Sequence, residues 1–183
     1  LVLRDRKDLF WIFALLLLII APFVCIFTPL ITSVTFYSGP GSIVFIPLST
    51  TFWMLFFAFA FAIGLLCASY FSKSIRLKVI TVVIAAIGFI IIFTFGVQNY
   101  VYLHEDKIVF NPLFGNKVEH EWRDLAKVVH ELEEPKKKQD EKYIFEFTDG
   151  YAFEFPVSGV VNGSVKSVIY QKTRTYEIQF EEY

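Results

Sequence analysis

The sequence predicts three transmembrane helices followed by a small mainly-β barrel or sandwich that carries one helix. Three observations predict this. The chain of 183 residues is 55% hydrophobic and 19% aromatic, with a mean hydropathy of +0.54, well above what an ordinary soluble domain shows. No Lys, Arg, Asp, Glu or His occurs from Leu9 to Ser72. From His104 onward the chain is instead charged and strand-patterned, with eleven Lys or Arg against sixteen Asp or Glu, a net −5. The overall −1 therefore conceals an apolar half and an acidic half. The expected division is 1–98 for the membrane bundle and 99–183 for the β domain.

Residues 79–97 set the organisation of the rest: apolar apart from Thr81 and Thr94, uncharged, and long enough to cross a bilayer as a helix. Residues 9–31 form the first span. The basic start, Arg4, Arg6 and Lys7, suggests a signal peptide, but the apolar run exceeds a signal core of roughly 7–15 residues and no small-residue cleavage site follows it. Pro22 is expected to kink this helix and Pro29 to end it. A charge-free connection, 32–50, centres on Gly39-Pro40-Gly41, a turn signal; its apolar flank around Ile43–Ile46 suits the bilayer interface. Residues 51–71 form the second span. Ala60, Gly64 and Ala68 recur there every fourth residue, a spacing that lets helix backbones approach closely in lipid. Lys73, Arg76 and Lys78 make a basic turn into the third span.

The spans contain no ionisable residue of the kind that marks ion or proton pathways. That argues against a pump or a proton-coupled transporter. Lys and Arg number three before the first span and three after the second, against none in the first connection and Lys107 and Lys117 just beyond the third. By the positive-inside rule the N-terminus is cytoplasmic and the C-terminal domain extracytoplasmic.

In the distal half, residues 100–104 and 107–111 read as a hairpin turning at Glu105-Asp106. PLFGN (112–116) reads as a turn, and 117–123 and 127–132 as further strands. In KYIFEFTDGYAFEFP (142–156), a three-residue loop Thr148-Asp149-Gly150 pairs Phe147 with Tyr151 and Tyr143 with Phe155. That register puts Tyr143, Phe145, Phe147, Tyr151, Phe153 and Phe155 on one face, as a core requires, with Gly150 left-handed. Trp122 is the remaining large core candidate. Ser164 is expected to cap a helix bearing Val165, Val168 and Ile169, and Tyr176, Ile178 and Phe180 alternate as a last, antiparallel strand. The stretch from residue 100 onward is expected to fold alone.

The run Asp106-Lys107-Ile108-Val109-Phe110-Asn111, the Trp122-Arg123-Asp124-Leu125 step with Lys127-Val128, and Phe147-Thr148-Asp149-Gly150 with Phe155-Pro156 resemble the bacterial PH-like domains appended to small membrane proteins. The resemblance spans residues 100–172. It implies a PH-like barrel capped by a helix, serving as a binding or assembly module in a bacterial cell membrane, and it brings no catalytic or ligand residues with it.

His104, His120 and His130 lack metal-site spacing and accompanying cysteines, Cys25 and Cys67 lying in apolar segments. Lys136, Lys137 and Lys138 are candidates for contact with a partner or anionic lipid, though Glu131, Glu133, Glu134, Asp140 and Glu141 surround them and point to a solvated loop. No nucleophile elbow or glycine-rich phosphate loop is present, and the acidic half is unsuited to nucleic acid. The sequence thus points to a non-catalytic multi-pass protein without a metal or cofactor. Its β module would bind a membrane-protein partner or a second copy, as an accessory subunit, an immunity-type protector or an envelope-stress component. The alternative is a subunit transporting a small molecule or lipid.

Overall fold

The structure, a computed structural model, describes residues 7–133, 140–157 and 159–183. It divides into two compact units, one ending at Thr32 and resuming over Thr50–Gln98, the other formed by Ser33–Ser49 and Asn99–Tyr183.

The first unit holds the helices α1 (Lys7–Phe36), α2 (Ser49–Phe71) and α3 (Ile75–Val97). All three are long and apolar enough to cross a membrane. They differ from the expected spans at their ends. Pro29 does not terminate α1, which runs on to Phe36. In lipid an unpaired backbone group finds no water, so losing one helical bond at a proline is less costly than leaving the helix. Likewise Arg76 and Lys78 lie in the first turn of α3 rather than in a loop, and the ammonium of Lys78 sits 5.5 Å above the ring of Phe10.

The bundle's buried centre is small. Ala21 and Cys25 of α1 meet Leu55 and Phe59 of α2, flanked by Phe89, Phe93 and Val97 of α3. Phe59 and Phe89 pack edge to face at 5.0 Å. Most other large side chains of the helices point outward, such as Phe23, Phe56 and Ile90, as expected where lipid is the solvent.

The second unit contains two four-stranded sheets. The first is ordered β1-β2-β3-β4, formed by β1 (Ser42–Pro47), β2 (Tyr100–His104), β3 (Lys107–Asn111) and β4 (Val118–Glu121). The second is ordered β7-β6-β5-β8, from β5 (Leu125–Glu131), β6 (Lys142–Phe147), β7 (Ala152–Pro156) and β8 (Gln179–Glu182). Helix α4 (Gly163–Thr175) precedes the last strand.

The connection between the first two helices is thus a strand of the β unit: the chain divides between Gln98 and Asn99 as expected, but residues 33–49, expected in the bundle, belong with the β domain. β1 pairs antiparallel with β2, Phe45 opposite Tyr102 and Pro47 opposite Tyr100. A fragment starting at residue 100 lacks a whole strand.

The first sheet buries both faces. Val44, Ile46, Val101, Leu103 and Ile108 enter the main core. Phe45, Tyr100, Tyr102 and Val109 form a second cluster against Tyr37, whose ring stacks on Phe45 at 4.7 Å. Burial there raises the Tyr37 hydroxyl pKa, and the neighbouring Tyr100 and Tyr102 add to the shift.

The chain passes between sheets through a 3₁₀ turn, Trp122–Asp124, so Trp122 is not in a strand as expected. It is nonetheless 1% exposed, and its indole Nε1 donates to the carbonyl of His104 at 2.7 Å. The β6–β7 hairpin has the expected register, Tyr143 opposite Phe155 and Phe145 opposite Phe153. Gly150 takes a φ of +85°, and the amide of Phe147 donates to the carbonyl of Tyr151 at 2.8 Å. Tyr143, Phe145, Phe147, Phe153 and Phe155 join Trp122 in the core, with Tyr151 half-buried at its edge.

Two further expectations are corrected. Asn162, not Ser164, caps α4: its side-chain oxygen accepts from the amides of Ser164 and Val165, and asparagine is among the strongest caps. The helix then places Val165 and Ile169 in the core. The last strand is β8, parallel to β5. Tyr176 instead closes α4, and Glu177 turns the chain with a φ of 54°.

Candidate functional site

The sequence candidates are not brought together. Lys136, Lys137 and Lys138 lie outside the described residues. Ala60, Gly64 and Ala68 are exposed on α2, and a side chain added at Gly64 would meet nothing within 4 Å. The close helix approach inside the chain lies elsewhere, on α3. There a Cβ at Gly96 would stand 3.1 Å from Cβ of Met54, and one at Gly88 would collide with the ring of Phe61. On α2 the buried small residues are Thr51, Ala58, Ala62 and Ser69.

The three histidines are separate. The Nε2 atom of His104 lies 3.0 Å from the carbonyl of Pro40, and His120 stacks on Phe147 at 4.0 Å. Among the described residues no group of three or more His, Cys, Asp or Glu side chains is arranged to hold a metal ion.

His130 is the exception in chemistry. β5 turns it inward beside Val128, and its ring lies flat on Tyr143 at 4.3 Å and 3°. It is 5% exposed. The Nε2 atom is 2.6 Å from Oε1 of Glu141, and Nδ1 is 2.8 Å from Oε1 of Glu182. The same Glu141 oxygen accepts from Nζ of Lys166 on α4 at 2.5 Å. Ionised carboxylates only accept hydrogen bonds, so this arrangement is complete when the ring carries both of its protons.

Burial alone would raise the Glu141 carboxyl, but the hydrogen bonds and charges of Lys166 and His130 outweigh it and hold the group below its ordinary range. The Tyr143 hydroxyl is pushed up to about 12 by burial, then by the charges of Glu141 and Glu182.

The cluster's location gives it a mechanical role. It joins β5, the entry to β6, α4 and β8 at one point. Around it the amide of Tyr183 donates to the carbonyl of His130 at 3.1 Å, and the amide of Leu132 to the carbonyl of Tyr183 at 2.9 Å. Both ring nitrogens of His130 are occupied, and the ring faces protein rather than an open cleft. The arrangement is a polar lock that fastens the parallel C-terminal strand. From sequence, His130 on a strand was visible, but Glu141 and Glu182 lie 11 and 52 residues away. Only the strand pairing reveals them as partners.

On the surface of the other sheet, Lys117 and then Lys107 hold the Glu119 carboxyl down at about 2, with contacts of 2.6 and 2.9 Å. All three side chains are more than 40% exposed, where solvent screening leaves such pairs little net worth.

No protein-family model matches the chain, and comparison with curated proteins and with solved structures finds no similar one.

Proposed function

We propose that the chain is a non-catalytic, multi-pass protein of a bacterial cell membrane whose β unit is a PH-like module that binds a membrane-protein partner. The carrying observation is the composite β unit. Residues 33–49 and 99–183 fold together, so the chain enters or leaves the unit at three places, after α1, before α2 and after α3. A module tied to three spans cannot swing on a single linker. A partner embedded in the same membrane presents its own surface loops to a module anchored in this way. Two sheets followed by a helix that inserts Val165 and Ile169 into the shared core support the PH-like reading.

Chain connectivity also supports the orientation. Two spans separate β1 from β2, so both strands emerge on the same side of the bilayer. The Lys and Arg of the N-terminus and of the passage from α2 into the first turn of α3, three in each, belong to the other side, which the positive-inside rule makes cytoplasmic. The β unit is then extracytoplasmic.

The test is purification of the full chain from native membranes in mild detergent, with the retained proteins identified by mass spectrometry. One membrane protein held in fixed stoichiometry is the expected result. A chain recovered alone, which mediates lipid-dependent flux after reconstitution, would replace this reading with transport.

A further inference from the structure

The C-terminal strand β8 is held lightly. It lies at the edge of its sheet with β5 as its one neighbour, paired in parallel from Gln179 opposite Lys127 to Glu182 opposite His130. None of residues 176–183 is buried. Ile178 and Phe180, both half-buried, are what this stretch packs against the main core, and Phe180 also meets Tyr170 of α4 edge to face at 5.6 Å. A segment with so few buried apolar contacts opens at low cost. Its far end, Glu182, is tied to a titratable ring.

The two carboxylates that meet the His130 ring are not equally anchored. Glu141 also accepts from Lys166 of α4, and its side chain is 22% exposed. Glu182 has His130 as its one ionic partner among the described residues, and its side chain is 53% exposed. The remaining groups around the ring do not compete for it. Tyr143 of β6 stacks on its face, while on the opposite face of the sheet Lys142 pairs with Glu131 and Lys127 with Glu181. A neutral imidazole donates from one nitrogen and presents a lone pair at the other. Once the ring has lost a proton it keeps one carboxylate, and the second faces a lone pair. Lys166 holds Glu141 in place, so the remaining proton stays on Nε2 and the lone pair of Nδ1 faces Glu182. Water is open to the half-exposed Glu182, which therefore leaves and takes the end of β8 with it.

We propose that β8 is a pH-gated strap, which stays on β5 while the His130 ring carries both protons and detaches when the ring gives one up. The sign follows from the form that is bound. The closed strand needs the protonated ring, so the stabilisation is present at lower pH and is lost as pH rises through the ring's titration. Detachment uncovers the outer backbone edge of β5, a row of unpaired donors and acceptors that a further strand can join. The proposal lies wholly within the β unit and requires neither a protein partner nor a given orientation in the membrane.

The experiment uses the full chain in detergent micelles. Nitrogen-15 NMR follows the protonation of the His130 ring, and amide exchange follows β8, expressed as protection relative to the intrinsic exchange rate at each pH. The amide of Tyr183, which donates to the carbonyl of His130, reports the strap. As the ring loses its proton, protection there should fall about tenfold or more, the factor that matches a hydrogen bond to a charged group, while the amides of β6 stay protected. Glu182→Gln gives a result that a merely structural contact would not. Its amide accepts from the protonated ring and, turned over, donates to the neutral one, so β8 should keep its protection across the same titration. Protection unchanged in the native chain as the ring titrates would overturn the proposal. So would a loss that persists unaltered in Glu182→Gln, or a ring that keeps both protons until the whole unit unfolds.

Discussion

The two units bury different things. In the bundle the buried residues are mainly Ala21, Cys25, Ala58, Ala62 and a few larger ones such as Leu55 and Phe59, while large side chains face outward. In the β unit the rings of Trp122, Phe145 and Phe155 are buried almost completely. The difference follows from the solvent. Lipid tails are as apolar as leucine, so helices gain from close approach and from satisfied backbone bonds rather than from hiding large side chains. Water imposes the opposite rule, and the β unit obeys it by gathering its aromatics between two sheets.

The largest expected effect tests where the water-driven unit begins. The amide of Leu48 donates to the carbonyl of Asn99 at 3.3 Å, so a short Asn-Gly turn can join residues 33–48 to 99–183 and bypass both helices. This fused chain should fold as a β-rich monomer. A fragment of 99–183 alone should not, since it leaves Val101 and Leu103 without the strand that pairs with theirs. Circular dichroism and amide exchange distinguish the two; a fully protected, β-rich short fragment would show β1 to be dispensable.

Within the fused chain, Phe145→Ala should cost about 3–5 kcal/mol, the range for emptying a buried phenylalanine site. Trp122, the unit's single tryptophan, reports urea unfolding. A cost below about 1 kcal/mol would mean that the aromatic face is not the core.

Next in size is Glu141→Gln, which removes an ionised acceptor shared by His130 and Lys166. Hydrogen bonds to charged groups are worth roughly 1.5–3 kcal/mol. Because the Glu141 carboxyl sits below its ordinary range when folded, its contribution is complete at neutral pH. It is lost as pH falls through that lowered value. The substitution should therefore destabilise the unit at pH 7 and have a shrinking effect as the solution is acidified. An effect that grew on acidification would contradict the lock.

The bundle supplies the smallest contrast. Gly88→Val, placed against Phe61, should cost about 1–3 kcal/mol as overpacking does, whereas Gly64→Val, with open space around it, should be nearly neutral in a purified single chain. Thermal stability in detergent compares them. If Gly64→Val proves as harmful as Gly88→Val, that face of α2 is occupied.

Much of this was legible in the residues. The β6–β7 register follows from Asp149-Gly150 and six alternating aromatics, because only one loop length puts all six on one face. The helices follow from uninterrupted apolar runs. β1 was not legible: Ser42–Pro47 is a six-residue apolar run between two spans, and nothing local separates a strand from an interfacial segment. Its partner lies more than fifty residues away, beyond two helices. The end of α1 was misjudged because proline was weighed by its behaviour in water. The His130 lock escaped for the same reason as β1, since its two carboxylates come from distant strand ends.

The composite β unit is tested most directly by a disulfide across its first pair of strands. Ser42 and His104 are opposed in the β1–β2 ladder, and strand partners lie within disulfide range. Cysteines at both positions, in a chain lacking Cys25 and Cys67 and carrying a protease site between Phe71 and Ile75, should be oxidised in native membranes. After cleavage the two fragments should then migrate together until a reductant is added. A control with the second cysteine at Glu154, on β7, should separate at once. Free fragments from the Ser42–His104 pair would contradict the account, because the connection between the first two helices would then not belong to the β unit.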